Sequence, residues 1–292
     1  MRVFVTGASG YIGSAVVAEL VRRGHHVAGL ARSEDAAAKV RALGAHVVNG
    51  SMDSLDVLEL AAREHDATIH TAAVTSAETR AAEGRALDAM LHVAPHDHTF
   101  VYTSGGWVYG SRGDAIVDED APLAPIELVA WRPAHEDVVL AAAERGVRPI
   151  VIRPAVVFGD GGGMVGSLVA SASPGPIRIV GDGANRWPMV RIDALAELYV
   201  AAVEQRKANG VYNASSAAAV PYAEIARAAS RAGGGDGTIE HLTLENARNT
   251  MGPFADALAI DLQMSSDKAK RDLGWSPHRP TVLEELANTV VI

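Results

Sequence analysis

Over the first half of the chain, short β-branched apolar runs alternate with stretches whose apolar positions recur at helical spacing. Arg2–Thr6, His25–Leu30, Ala45–Val48, Ala67–Thr71, Thr99–Thr103 and Val147–Arg153 read as strands. Tyr11–Arg23, Glu34–Leu43, Leu55–Arg63, Ser76–Val93 and Glu127–Arg145 read as the helices between them. This alternation predicts βαβ units and a parallel sheet. Beyond Arg153 it weakens, and Gly159–Gly163 and Ser171–Pro176 are rich in turn formers. A helix over Asp193–Glu204, a short strand over Val211–Asn213, a helix over Tyr222–Ala232 and a glycine-rich loop over Gly233–Gly237 follow, and the last fifty residues read as short helices.

The first strand runs straight into TGASGYIG, Thr6 to Gly13, and a helical pattern starts there. A strand, a glycine turn and a helix start make a phosphate site. Glycines let the backbone turn tightly, admit a pyrophosphate to the main chain and let the helix pack close to its strand, while the helix N-terminus offers free N–H groups. Gly7, Ser9, Gly10, Tyr11, Ile12 and Gly13 are therefore expected to hold a dinucleotide. The fold expected is α/β, a Rossmann-type doubly wound parallel sheet over residues 1–157, to which roughly 190–213 returns. A smaller C-terminal substrate lobe takes 158–189 and 214–292. After the second strand the chain reads Gly29, Leu30, Ala31, Arg32, Ser33, with no carboxylate before Glu34. An acidic residue there would bind ribose hydroxyls, whereas arginine accommodates a 2′-phosphate. Arg32 and Ser33 thus favour NADP, with NAD as the alternative.

Composition narrows the class further. The 292 residues are 48% hydrophobic and 21% charged, within the range of globular proteins. A net charge of −9 argues against a general nucleic-acid binder, which needs a basic surface. No apolar run is long enough to span a bilayer and no signal pattern precedes the first strand, so a cytoplasmic location is expected. With no cysteine, disulfides, thiolate catalysis and Cys-ligated metals are excluded. His96 and His98 lack further ligands and read as a polar loop rather than a metal site.

Six motifs in order, TGASGYIG, Ile69–Ala73 (IHTAA), Val101–Gly110 (VYTSGGWVYG), Arg153–Gly159 (RPAVVFG), Gly181–Asp193 and Ser265–Pro277, make the chain resemble the extended short-chain dehydrogenase/reductase family. This group is also called the NAD-dependent epimerase/dehydratase family. The resemblance implies that Ala72, Ala73, Pro154 and Val157 line the cofactor and that Ser51 and Met52 lie near the adenine. It also implies a homodimer through the helices at Ser76–Val93 and Glu127–Arg145, with burial inside the monomer as the competing explanation for their alanine-rich faces.

At the catalytic centre the chain departs from its relatives. Such proteins typically use a serine after the fifth strand and a tyrosine–lysine pair four residues apart, the lysine keeping the tyrosine poised for proton transfer. Here Leu128 and Arg132 stand at those positions and Gly105 at the serine position, with Ser104 one place earlier. No tyrosine lies between Tyr109 and Tyr199 and no lysine between Lys39 and Lys207, so realignment does not restore the pair. Ser104 and Arg132 are the catalytic candidates, Arg132 also as a cofactor contact. Tyr109 and Trp107 read as packing residues and His135 as structural. In nucleotide-sugar enzymes of the family an arginine after GDG holds the phosphates; here Trp187 takes that place, Arg186 precedes it, and Arg191 replaces a common histidine. A smaller, more apolar substrate follows, with Trp187, Met164 and Phe158 as candidate pocket walls. The function expected is an atypical NADP-dependent oxidoreductase acting on a carbonyl or hydroxyl of a small non-nucleotide substrate. The alternatives are a non-catalytic NADP-binding sensor and a redox-neutral epimerase or lyase with tightly held nicotinamide.

Overall fold

The structure is a computed structural model that describes residues 1–72, 76–172, 175–277 and 279–289. Its centre is a seven-stranded sheet, every neighbouring pair parallel, built from β1 (Arg2–Thr6), β2 (His26–Ala31), β3 (His46–Asn49), β4 (Ala67–His70), β5 (Thr99–Thr103), β6 (Arg148–Pro154) and β7 (Gly210–Ala214). The strands lie in the order β7-β6-β5-β4-β1-β2-β3. The order reverses between β1 and β4, where a crevice opens at the carboxyl ends of the strands.

Both faces are covered, which is why the strands read as unbroken apolar runs. Val3, Val5, Val101, Ile150 and Ile152 pack to one side with α1 (Tyr11–Arg22) and α6 (Ile192–Glu204). Phe4, Phe100, Tyr102 and Val151 pack to the other, with α3 (Leu55–Glu64), α4 (Ala77–Val93) and α5 (Arg132–Ala141). Ala82, Ala86, Leu87 and Met90 are buried on that side, so α4 sinks its apolar face within the monomer.

A separate hydrophobic cluster holds the lobe together. Trp187 stacks on Tyr222 at 4.0 Å between centroids, and Phe158, Ile179, Ile225 and Leu286 surround them. Leu262, Met264, Leu273 and Trp275 instead join the cluster under the sheet, although the sequence pattern assigns them to the lobe. Trp275 Nε1 donates to the Ala194 carbonyl at 2.8 Å, and Gln263–Met264 pairs with Ile116–Val117.

Two expectations need correction. The helix expected over Glu127–Arg145 is three pieces: a 3₁₀ turn at Glu127–Val129, then α5, then a 3₁₀ turn at Ala142–Arg145. Pro133, with no N–H and a fixed φ, fits only the first turn of a helix and sets the start of α5. The polar loop expected at His96 and His98 divides as well. His96 is exposed, but His98 is buried against the His65 carbonyl at 3.1 Å and Thr68 Oγ1 at 3.0 Å.

Burial, only partly offset by the His65 carbonyl, pushes the His98 imidazole down from 6.5 to about 4. The folded ring stays neutral where the unfolded chain already takes up a proton. Stability is therefore expected to fall as pH drops from about 6.5 to 4, by about 3 kcal/mol from this residue. Urea midpoints across that window check this: His98→Gln should flatten the decline, and a level wild-type midpoint from pH 7 to 5 would contradict it.

Candidate active site

The turn between β1 and α1 is shaped by two glycines that admit no side chain. Gly7 sits at φ +69°, and a Cβ there would lie 2.6 Å from the Thr71 carbonyl oxygen and 2.7 Å from the Ala72 amide. A Cβ on Gly13 would lie 2.1 Å from the Gly7 carbonyl oxygen and 2.7 Å from Thr71 Oγ1. Thr71 holds this junction by donating to the Thr6 carbonyl at 2.8 Å. Gly10 caps α1 with no side-chain hydrogen bond, and the first-turn N–H groups of Tyr11, Ile12 and Gly13 have no acceptor within the helix. Bare backbone, free donors and a positive helix end together fit a dinucleotide's pyrophosphate.

The other cofactor candidates stand just past the carboxyl ends of their strands or face the cleft, with one exception. Arg32 is exposed just past β2 and has no ion-pair partner among the described residues, because the nearby Glu34 is taken by Arg41 at 2.6 Å. Ser33 accepts from the Ala36 amide at 3.3 Å as the N-cap of α2 (Glu34–Ala42), the ordinary role of serine there. Ser51 and Met52 form the turn after β3, with Ser51 Oγ accepting from the Asp53 amide at 3.2 Å. Ala72 adjoins Gly7, and Pro154 and Val157 face the cleft. Ala73 lies outside the described residues.

From Tyr11 and Ile12 a cleft of about 580 Å³ runs between sheet and lobe. Trp107, Leu128, Met164, Trp187, Ile260 and Leu262 make it largely apolar. Phe158, expected in its wall, is buried in the lobe cluster instead. Tyr11 ties the two sides together: its hydroxyl donates to the Gly159 carbonyl at 2.7 Å, and its ring fills the space a Cβ on Gly162 would need.

Ser104 and Arg132 both face this cleft, each held by a different buried contact. Ser104 Oγ donates to Glu136 Oε1 in a very short hydrogen bond. Glu136 is in turn gripped by Arg153, with Nη2 2.6 Å from Oε2 and Nε 3.2 Å from both oxygens. Arg153 Nη1 donates to Tyr109 Oη at 2.7 Å, and that hydroxyl donates to Asn213 Oδ1 at 2.8 Å. Glu136, Arg153, Tyr109 and Asn213 are all buried, so Ser104 is the one member of the chain that meets the cleft. Arg132 opens α5, donates Nη1 to the Thr103 carbonyl at 2.9 Å, and lies 4.6 Å over the Trp131 ring. Its charge also reaches the buried Glu83 carboxylate and the Tyr102 hydroxyl.

No phenol takes over from the absent tyrosine. Burial pushes the hydroxyls of Tyr11, Tyr102, Tyr109 and Tyr199 up, away from the range of proton exchange near neutrality. Leu128 lines the cleft from the 3₁₀ turn before α5. Gly105 is extended, and a Cβ there would meet nothing within 4 Å, so space does not explain the missing serine.

A second buried cluster backs the site. Glu83 from α4 meets His70 Nε2 at 3.2 Å and His135 Nδ1 at 3.4 Å, and His70 Nδ1 meets Thr6 Oγ1 at 2.9 Å. Burial by itself raises the Glu83 carboxyl, but the facing His135 and His70 and the Arg132 charge outweigh it and hold the group down at about 2. His135 also packs edge-on against Trp131 at 5.0 Å. In the lobe, Arg186 is paired with Asp261 and Asp114, and Arg191 with Asp160, Asp193 and Glu285. Neither guanidinium is free to hold a nucleotide phosphate.

The profile of the NAD dependent epimerase/dehydratase family matches residues 3–215. The chain belongs to that family. An uncharacterized protein of Schizosaccharomyces pombe is 33% identical over 99% of both chains. The 4-hydroxy-2-methyl-3-oxo-4-farnesyl-3,4-dihydroquinoline-1-oxide ketoreductase of Stigmatella aurantiaca is 28% identical, over 94% of this chain and 92% of its own. Among solved structures, UDP-glucose 4-epimerase of Thermus thermophilus in complex with NAD shares the fold, with a TM-score of 0.79 and 21% identity over 99% of this chain and 97% of its own. NAD(P)-dependent chemistry of the reductase or epimerase type is thus the class to which this epimerase/dehydratase family member belongs.

Proposed function

We propose that this family member is an NADPH-dependent reductase of a small, largely apolar carbonyl compound, acting in the cytoplasm, with Ser104 and Arg132 at the reacting oxygen. The observation that carries the reading is that these two polar groups face an apolar cleft continuous with the glycine turn. When bound, the reduced nicotinamide would supply a hydride, one proton with two electrons, to the carbonyl carbon and be left oxidised, while one proton drawn from solvent would complete the alcohol. The guanidinium of Arg132 stabilises negative charge as it develops on the carbonyl oxygen, in a largely apolar cleft. Ser104 gives its hydrogen to Glu136, so its lone pairs are what it offers the cleft, and they suit it to hold the water that delivers the proton. The Stigmatella ketoreductase supports carbonyl reduction, and the neutralised arginines of the lobe support a non-nucleotide substrate.

Unpartnered Arg32 supports NADPH over NADH through its charge beside the 2′-phosphate. We further propose a homodimer through the outer faces of α4 and α5, where Val138 is exposed.

Oxidation of NADPH and of NADH against a panel of apolar ketones tests the proposal. Wild type should turn over with NADPH, Arg32→Ala should lose about tenfold in NADPH affinity with little change for NADH, and Ser104→Ala should lower kcat by about 10–100-fold. Absence of turnover with every ketone, beside tight and form-selective cofactor binding, would replace the reductase with a sensor.

A further inference from the structure

Every other arginine that is partly or fully buried around the cleft and lobe has an acidic or carbonyl partner. Arg153 is paired with Glu136, Arg186 with Asp261, Arg191 with Glu285, and Arg148 donates to a ring of main-chain carbonyls. Arg80 is different. It stands in the first turn of α4, half-buried, lines the same cleft as Arg132, and its guanidinium has no hydrogen-bond or ion-pair partner among the described residues. No aspartate or glutamate lines that cleft among the described residues. The buried carboxylates that reach Ser104 and Arg132 are already engaged, Glu136 by Arg153 and Glu83 by two histidines.

Two guanidiniums face one apolar cavity that no carboxylate lines among the described residues, Arg132 interacting with the buried Glu83 charge and Arg80 with none, and low-dielectric walls screen the positive potential least. The arrangement suits a ligand that brings the missing negative charge and an apolar body. We infer that Arg80 anchors the carboxylate of an apolar oxo acid, leaving Arg132 to face the carbonyl oxygen that is reduced. The inference rests on the reductase reading of the same cleft and narrows its substrate to carboxylate-bearing carbonyl compounds. A guanidinium offers a carboxylate two parallel N–H donors, so discrimination against an uncharged analogue of the same shape is strong. Selection is by charge at one end and by apolar contact with Trp107, Leu128 and Leu262 at the other.

The test separates binding from turnover. With NADP⁺ present, octanoate and octanamide are titrated against intrinsic tryptophan fluorescence, since Trp131 lies directly beneath Arg132. Octanoate should bind about tenfold or more tightly than octanamide, with an affinity that weakens as salt rises. Arg80→Met should abolish that preference and Arg80→Lys should retain part of it. In parallel, NADPH oxidation is compared for 3-oxooctanoate, its methyl ester and 2-octanone; the acid should have the lowest KM, and the acid-to-ester ratio should collapse in Arg80→Met. Equal affinity for octanoate and octanamide, or a preference that Arg80→Met leaves intact, overturns the anchor. A loss of NADPH affinity in Arg80→Met as large as the loss for octanoate also overturns it, by assigning Arg80 to the cofactor. If no ketone turns over yet octanoate is still preferred through Arg80, the reductase reading fails and the anion site stands.

Discussion

Arg153→Met is expected to destabilise the protein by about 3–5 kcal/mol, because it strands the Glu136 carboxylate in a site from which water is excluded. The guanidinium makes three contacts to that carboxylate and one to Tyr109, and among the described residues no other cation contacts Glu136. Removing both charges is a different matter. Taking two ions out of water is itself costly, so the double variant Glu136→Gln/Arg153→Met should recover most of the loss. Urea unfolding of the two single variants and the double variant, read as a double-mutant cycle, checks this. A double variant as unstable as Arg153→Met would show that packing, not the stranded charge, sets the penalty. The same pair bears on the chemistry: with Glu136→Gln the amide can turn its NH₂ toward Ser104, reversing the polarity of the hydroxyl. Activity should then fall even under conditions where the protein stays folded.

Gly13→Ala should remove dinucleotide binding almost completely. The added Cβ would lie 2.1 Å from the Gly7 carbonyl oxygen, and neither backbone segment can move without reopening the turn. Gly7 is itself fixed against Thr71 and Ala72 on the neighbouring strand end. Relief therefore comes only by shifting α1 away from the turn, which carries its free N–H groups off the pyrophosphate. A loss of about 100-fold or more in NADPH affinity, equivalent to about 3 kcal/mol, is expected by fluorescence titration. Far-ultraviolet circular dichroism and a melting curve distinguish lost binding from lost folding. Gly105→Ala supplies the contrast, since a Cβ there meets nothing within 4 Å and the backbone is extended, so folding should be unaffected. Wild-type affinity in Gly13→Ala would mean that the cofactor does not use this turn.

How much could be read from the chain differs between features for identifiable reasons. The parallel sheet was legible because each buried strand is a short apolar run and each βαβ crossover is local in sequence. The start of α5 could have been read from Pro133, but the alanine-rich pattern on either side suggested one long helix. His98 was misplaced because a histidine beside a turn looks the same whether its ring faces water or Thr68.

The sequence by itself determined the glycine turn and, equally, what the site lacks: residues within eight positions of one another constrain the backbone directly, and a tyrosine or lysine that is absent from a segment is absent from any fold of it. Only the tertiary structure decided what surrounds Ser104 and Arg132. Glu136 meets Ser104 across 32 residues and Arg153 across another 17, and Arg80 comes to the same cleft as Arg132 with no acid beside it. Such pairings depend on strand order, helix rotation and the packing of side chains between layers. Spacing along the chain carries no record of them, because the distance between two side chains on different elements is set by the sheet that both elements pack against.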